Sequence, residues 1–334
     1  MLNYAIIGFG GLGKSHFKNY EAIKEIVGDL KLVALCDVEE SAFTTQTAIN
    51  LSTNEVGLDL SAYNLYTDVE ELFKNEKLDF IVTALPTYIH EKIAVMALEK
   101  GIHVFSEKPI AINLDQAQNM IDKAKENNVK LMIGQCLRYW PEYVMLKDMI
   151  DSKKYGNVVY GDFKRLSGTP IWSWQDWMRD EAKSGGCALD MHVHDIDFIN
   201  WVFGKPQAVT ARAINQDVKH DSITATLDYA DKYFTVTAGW GLKQAYPFTA
   251  EFLIRFDTAV AEVKNGKFTI YTDDGAEEVT VPEGNAYVNE LVDFITCIRE
   301  NKDTTINPPE SSKISIEIAL AEKLSADKKE TVKL

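Results

Sequence analysis

The chain has 334 residues, enough for two hydrophobic cores, and its 46% hydrophobic and 25% charged residues are the composition of an ordinary globular protein. Its net charge of −15, from 50 acidic against 35 basic residues, repels nucleic acid and anionic membranes, and no run approaches the roughly 18 apolar residues of a spanning helix. Cys36, Cys136, Cys187 and Cys297 lie far apart and make neither a metal-type nor a disulfide pattern. The start, MLNYAIIGFGGLG, lacks the basic region and cleavage site of a signal peptide, so a cytoplasmic location is expected.

The first third alternates two kinds of segment. NYAIIGFG, KLVALCDV, LDFIVTALP, IHVFSEKP and VKLMIGQ are short apolar runs that predict strands. Between them KSHFKNYEAIKEIVG and YIHEKIAVMALEKG carry apolar residues three and four apart, which predicts helices, the second stopping at Gly101. Strand–helix alternation implies a parallel sheet covered on both faces, a doubly wound α/β domain over residues 1–136. After a further helix in PEYVMLKDMIDSKKYG, the runs NVVYGDFKR, QAVTARAI, SITATLDYA, YFTVTAGWG, AEFLIRFD and KFTIYT predict a large, mostly antiparallel open sheet in an α+β domain over residues 137–305. The closing SSKISIEIALAEKLSADKK predicts a helix within residues 306–334, apolar over a broad arc and expected to pack back on the first domain.

GFGGLG, after the first strand and opening the first helix, is a G-x-G-x-x-G motif at Gly8, Gly10 and Gly13. In the Rossmann arrangement Gly8 allows the tight turn, Gly10 lets the backbone approach a pyrophosphate and Gly13 lets helix and strand pack closely. The helix start beyond offers unpaired N–H groups to phosphate. Phe9, Gly11 and Leu12 complete the expected cofactor loop. The second strand ends at Asp37, somewhat beyond the roughly 20 residues usual for the ribose-binding acid. A carboxylate there accepts from ribose hydroxyls and repels a 2′-phosphate, and Val38, Glu39 and Glu40 follow with no arginine, so NAD is expected over NADP. The bland reading of Asp37 is a cap on the next helix.

Two more segments join this motif: HVFSEKPIA, with Glu107-Lys108-Pro109 just past a strand end, and GGCALDMHVHDID in the second domain. With TALPTYIH around Pro86 and His90, and LRYWPEY from Leu137 to Tyr143, the whole chain resembles the glucose–fructose oxidoreductase and inositol dehydrogenase (Gfo/Idh/MocA) family. The resemblance implies a nicotinamide-dependent dehydrogenase whose Glu-Lys-Pro segment lies beside the nicotinamide, with a D-x-x-x-H pair acting from the second domain. The matching positions are Lys108, Asp190 and His194. It also implies that Pro86, His90 and Glu107 lie on the cofactor side, and that a large sheet face is left for homodimer or homotetramer contact.

In a helix over residues 187–203, Asp190 and His194 share a face, His192 points elsewhere and Asp197 lies within reach of His194. Two histidines two apart cannot converge on one ion from a regular helix, so no metal site is expected. Histidine, with an unperturbed pKa of about 6.5, suits proton exchange with an alcohol near neutrality. Asp190 either orients it or binds a substrate hydroxyl, and Lys108 holds the oxygen that develops charge. Either Lys108 or His194 is the main proton acceptor. Arg138, after the fifth strand, is a candidate substrate contact, as are Trp172 and Trp177, whose indoles can stack on sugar rings. The expected activity is hydride transfer between NAD and a secondary hydroxyl or keto carbon of a sugar, polyol or inositol-like compound. The rivals are a catalytically silent NAD-binding sensor and a reductase of imine or unsaturated substrates on the same scaffold.

Overall fold

In a computed structural model of the chain, residues 1–45 and 58–334 are described. They divide into two compact units, Met1–Gly134 with Tyr287–Glu310, and Gln135–Ala286 with Ser311–Leu334. No helix among the described residues is long and apolar enough to cross a membrane.

The first unit is built on a parallel sheet of β1 (Leu2–Ile7), β2 (Leu30–Cys36), β3 (Asn64–Tyr66), β4 (Phe80–Thr83), β5 (His103–Glu107) and β6 (Leu131–Gly134). The strand order is β3-β2-β1-β4-β5-β6, the doubly wound Rossmann order with its switch point at β1/β4. The five predicted runs are β1, β2, β4, β5 and β6; β3 is three residues long and carries no pattern to read. The helical run after β1 is two helices, α1 (Gly11–Lys18) and α2 (Tyr20–Val27), broken at Asn19. Then follow α3 (Val69–Asn75), α4 (His90–Leu98) and α5 (Leu114–Glu126), the last capped by the Asn113 side chain on Gln116 N–H.

In the second unit, α6 (Pro141–Asp151) leads into β7 (Val158–Gly168), and α7 (Glu181–Ser184) and α8 (Val193–Phe203) lie between β7 and the remaining strands. Those are β8 (Ala208–Ile214), β9 (Ser222–Asp228), β10 (Tyr233–Leu242), β11 (Thr249–Phe256), β12 (Val260–Lys264), β13 (Lys267–Thr272), β14 (Gly275–Glu278) and β15 (Val332–Lys333). The sheet order is β14-β13-β12-β11-β7-β10-β9-β8-β15, antiparallel except for β7 beside β10. Phe163, Phe234 and Phe252 point to the face covered by Phe198 of α8. On the opposite face Tyr160, Asp162, Lys164 and Leu166 of β7 are not buried.

The closing part of the chain differs from the expectation. The helix that returns to the Rossmann sheet is α9 (Ala286–Glu300), whose Val288, Leu291, Phe294 and Ile295 join the core of β1, β4 and β5. Phe294 meets Phe80 and Phe105 edge-on. The last helix, α10 (Pro309–Lys328), packs within the second unit instead. Its buried face carries Ser312, Ser315, Glu322 and Ser325 among isoleucines and alanines, and Ser315 and Ser325 reach polar partners on α8 and β8. Ser315 Oγ donates to Asp197 at 2.7 Å, and Ser325 Oγ accepts from Ala211 N–H at 2.9 Å. These two serines are satisfied there and would be stranded on an apolar sheet.

Candidate active site

At the carboxyl ends of the parallel strands, where open α/β sheets bind their ligands, the expected cofactor residues gather from separate loops. Gly8 ends β1 with φ +91°, and a Cβ on it would stand 2.3 Å from the Ala84 carbonyl oxygen. A Cβ on Gly13 would stand 1.9 Å from the Gly8 oxygen, so α1 closes on the strand only through hydrogen. Nothing lies within 4 Å of a Cβ built on Gly10. Gly10 is also the N-cap of α1, with no side-chain cap and no acid in the first turn. This open cradle of uncapped amides fits a dinucleotide pyrophosphate, with Gly10, Gly11 and Leu12 to hold it.

Asp37, just past β2, accepts the Phe9 N–H on Oδ2 at 2.7 Å and the Glu39 N–H on Oδ1 at 2.9 Å. The acid therefore ties the glycine loop to the end of β2. The bland reading also has substance, because the Glu39 contact steadies the short turn of residues 40–43. Each oxygen keeps a lone pair for a ribose hydroxyl. The Phe9 ring lies in the core at 0% exposure, so Phe9 serves the loop through its backbone.

Pro86 begins the short turn after β4 and is half-buried. His90, fully buried at the start of α4, has Nε2 2.8 Å from the Leu85 carbonyl and Nδ1 2.9 Å from that of Pro109. It staples the loop after β4 to the loop after β5. Burial pushes its pKa down, while the two carbonyl contacts act in the opposite direction. Lys108 is half-buried immediately after β5. Glu107, expected beside the cofactor, is turned inward: it is 3% exposed and its Oε1 is 2.7 Å from His16 Nε2. It ends β5 as a buried residue, so its contribution is to hold the neighbouring backbone.

In the second unit the histidine-rich stretch is helical, but its first turn, residues 188–192, is wound as a wider π-helix before α8 begins. The π turn starts after Gly185 and Gly186, both at positive φ. Between Cys187 and Asn200 every residue is buried except Asp190 and His194. Those two, four apart, are the accessible polar groups of the helix. His194 Nδ1 faces Cys136 Sγ at 3.9 Å, a weak thiol contact. His192 points inward, with Nδ1 3.0 Å from Glu322 on α10. Asp195 takes a bidentate bond from Arg165, at 3.0 and 2.8 Å.

Asp197 does not orient His194, and Arg138 is not the substrate contact expected. Arg138 Nε and Nη2 each donate to Asp197 at 2.8 Å, Nη2 also reaches Ser311 Oγ at 2.7 Å, and both side chains of the pair are almost fully buried. This fork ties the turn after β6 to α8 and α10. Trp172 is 40% exposed and Trp177 half-buried, on a loop in which Gln175 and Asp176 both take positive φ. All four cysteines are buried thiols.

The likeness to known proteins covers both units. The profile described as "Oxidoreductase family, NAD-binding Rossmann fold" matches residues 2–135, and "GFO/IDH/MocA C-terminal domain" matches residues 143–275. The chain belongs to the Gfo/Idh/MocA oxidoreductase family. Among its relatives is the myo-inositol 2-dehydrogenase of Thermotoga maritima, 23% identical over 100% of this chain and 98% of that protein. The trans-1,2-dihydrobenzene-1,2-diol dehydrogenase of Xenopus laevis is 31% identical over 50% of this chain and 51% of its own. The chain spans about half to two thirds of several curated relatives, at 49%, 63% and 51% of their length. The solved myo-inositol 2-dehydrogenase of Lactobacillus plantarum shares the fold with a TM-score of 0.81 at 23% identity, over 100% and 99% of the two chains.

Sequence reasoning missed several buried charged groups. Glu290 lies in AYVNELVDFITCIRE on the same helical face as Phe294 and Cys297, and an acid on an apolar stripe was the readable signal. Arg165 and Asp195 are both buried but 30 residues apart, and no local spacing joins them.

Proposed function

We propose that the protein is an NAD-dependent dehydrogenase acting on a secondary hydroxyl of a sugar, polyol or inositol-like compound, or reducing the matching ketone. What supports the reading most is that Asp190 and His194 are the residues left accessible in an otherwise buried stretch. A purely structural helix turn had no need to spare a D-x-x-x-H pair alone. The chemistry that NAD supplies when bound is acceptance of hydride from the substrate carbon.

His194 takes the hydroxyl proton as the C–H bond breaks and returns it in the reverse direction. Asp190 stabilises the imidazolium that forms or holds a second hydroxyl. Lys108 donates to the reacting oxygen and offsets its developing negative charge. Asp37 accepts from the ribose, and its charge, followed by Glu39 and Glu40, disfavours a 2′-phosphate. Trp172 and Trp177 border the substrate through their indole faces. A homodimer or homotetramer belongs to this reading, because the row Tyr233, Tyr160, Arg255, Val260 and Tyr271 crosses the sheet face opposite α8 without being buried.

The test is nicotinamide absorbance with NAD or NADP and a panel of inositols, pentoses, hexoses and polyols. NAD-linked turnover of at least one cyclic or polyhydroxylic substrate is expected. Tight NAD binding with no turnover across the panel would favour the sensor, and turnover confined to imines or enones would favour the other reductase.

A further inference from the structure

Behind Lys108 lies a cluster of ionisable side chains that this reaction does not use. Its members are His16 on α1, Glu107 at the end of β5, and Tyr287 and Glu290 on α9, with His90 on α4 also feeling the charges of Glu107 and Lys108. Glu107 Oε1 meets His16 Nε2 at 2.7 Å, and Glu107 Oε2 accepts the Lys108 N–H at 3.3 Å. The His16 ring is 2% exposed and stands edge-on to Phe105 and Tyr287. Glu290 is 0% exposed, and neither of its carboxyl oxygens has a hydrogen-bond partner.

An ionised carboxylate with no donor, in a core of this kind, is strongly disfavoured. Tyr287 and Phe294, about one turn to either side of Glu290 on α9, meet His16 and Phe105, which sets Glu290 towards Glu107, and two neighbouring carboxylates do not both ionise. Glu107 has a histidine and an N–H group as partners; Glu290 has neither. Burial, and then the charge of Glu107, hold the Glu290 carboxyl well above the usual carboxylate range.

We propose that Glu290 is a positioning residue: by carrying a proton in the folded protein it sets no second charge against Glu107, which bonds His16 and in turn fixes the backbone of Lys108. Loss of that proton at alkaline pH sets two like charges against each other and loosens the Lys108 amide. The consequence for turnover rests on the dehydrogenase reading above; the protonation and the backbone effect do not.

Glu290→Gln is the neutral mimic. The infrared difference between wild type and this variant near neutral pH should show a protonated-carboxyl C=O band present only in the wild type. Thermal unfolding gives the sign independently. The unfolded chain loses this proton near the ordinary value of 4.5, whereas the folded chain keeps it, so wild-type stability falls as pH rises from there towards the raised folded value. The advantage in Tm of Glu290→Gln over wild type should therefore grow between about pH 5 and about pH 8. Amide exchange at Lys108, as the ratio of wild type to Glu290→Gln, should rise from about one near pH 6 to about tenfold at the alkaline end, if one pKa unit of coupling reaches the amide. If the wild type shows catalysis, its alkaline limb should move to higher pH in Glu290→Gln with kcat at neutral pH kept.

Absence of the band, with Glu290→Gln less stable at every pH, would overturn the proposal by showing an ionised, structurally paired Glu290. A band present with an exchange ratio fixed at one would overturn the positioning role. A protein inactive on every substrate would count against the dehydrogenase reading alone, since band, Tm and exchange need no substrate.

Discussion

Arg138 and Asp37 show how one charged side chain is read differently once its partners are known. Arg138 follows a strand end on the ligand-binding side of a Rossmann sheet, and from that place alone it reads as a substrate contact. Its guanidinium is instead forked onto buried Asp197. Breaking such a pair leaves an uncompensated buried charge, so Arg138→Ala should cost roughly 3–5 kcal/mol in urea unfolding. Any active fraction should keep the wild-type KM; a large rise in KM with unchanged stability would restore the substrate role. Asp37 holds the Phe9 amide and keeps lone pairs for a ribose. Asp37→Ser should move the ratio of NADP to NAD affinity towards NADP by about tenfold, or about 1.4 kcal/mol, measured by cofactor titration. An unchanged ratio would mean that Asp37 only ties the loop.

At the scale of elements, the helices divide by the chemistry of their buried faces. α9 offers Val288, Leu291, Phe294 and Ile295 to the Rossmann sheet, whereas α10 buries Ser315 and Ser325 against α8 and β8. Phe294→Ala removes a ring packed on Phe80 and Phe105 and should cost roughly 3–5 kcal/mol by the same unfolding measurement. A loss below about 1 kcal/mol would mean that α9 is not integral to the first unit's core. The five long strands were legible because each is an apolar run ended by turn residues. β3 was not, because three residues carry no period. The destination of α10 was also hidden: Ile314, Ile316 and Ile318 announced a buried helix, but only the long-range bonds of Ser315 and Ser325 say against what.

For the whole molecule, the local motifs were readable and the long-range partnerships were not. Gly8, Gly10 and Gly13 were identified from their spacing because the physical need is local: a tight turn, an open cradle and a close approach. Asp190 and His194 were singled out from four-residue spacing plus family likeness, and burial of their neighbours now distinguishes them. His16–Glu107 spans 91 residues and Arg138–Asp197 spans 59, so topology alone brings them together. The proposed dehydrogenase assigns roles in NAD-linked proton transfer to His194, Asp190 and Lys108. The most direct test compares His194→Ala and Lys108→Ala with wild type, measuring NAD-linked turnover and, separately, NAD affinity. The account predicts that each variant loses about 10²–10⁴-fold in kcat while binding NAD almost as wild type does. Turnover that survives both substitutions would contradict it.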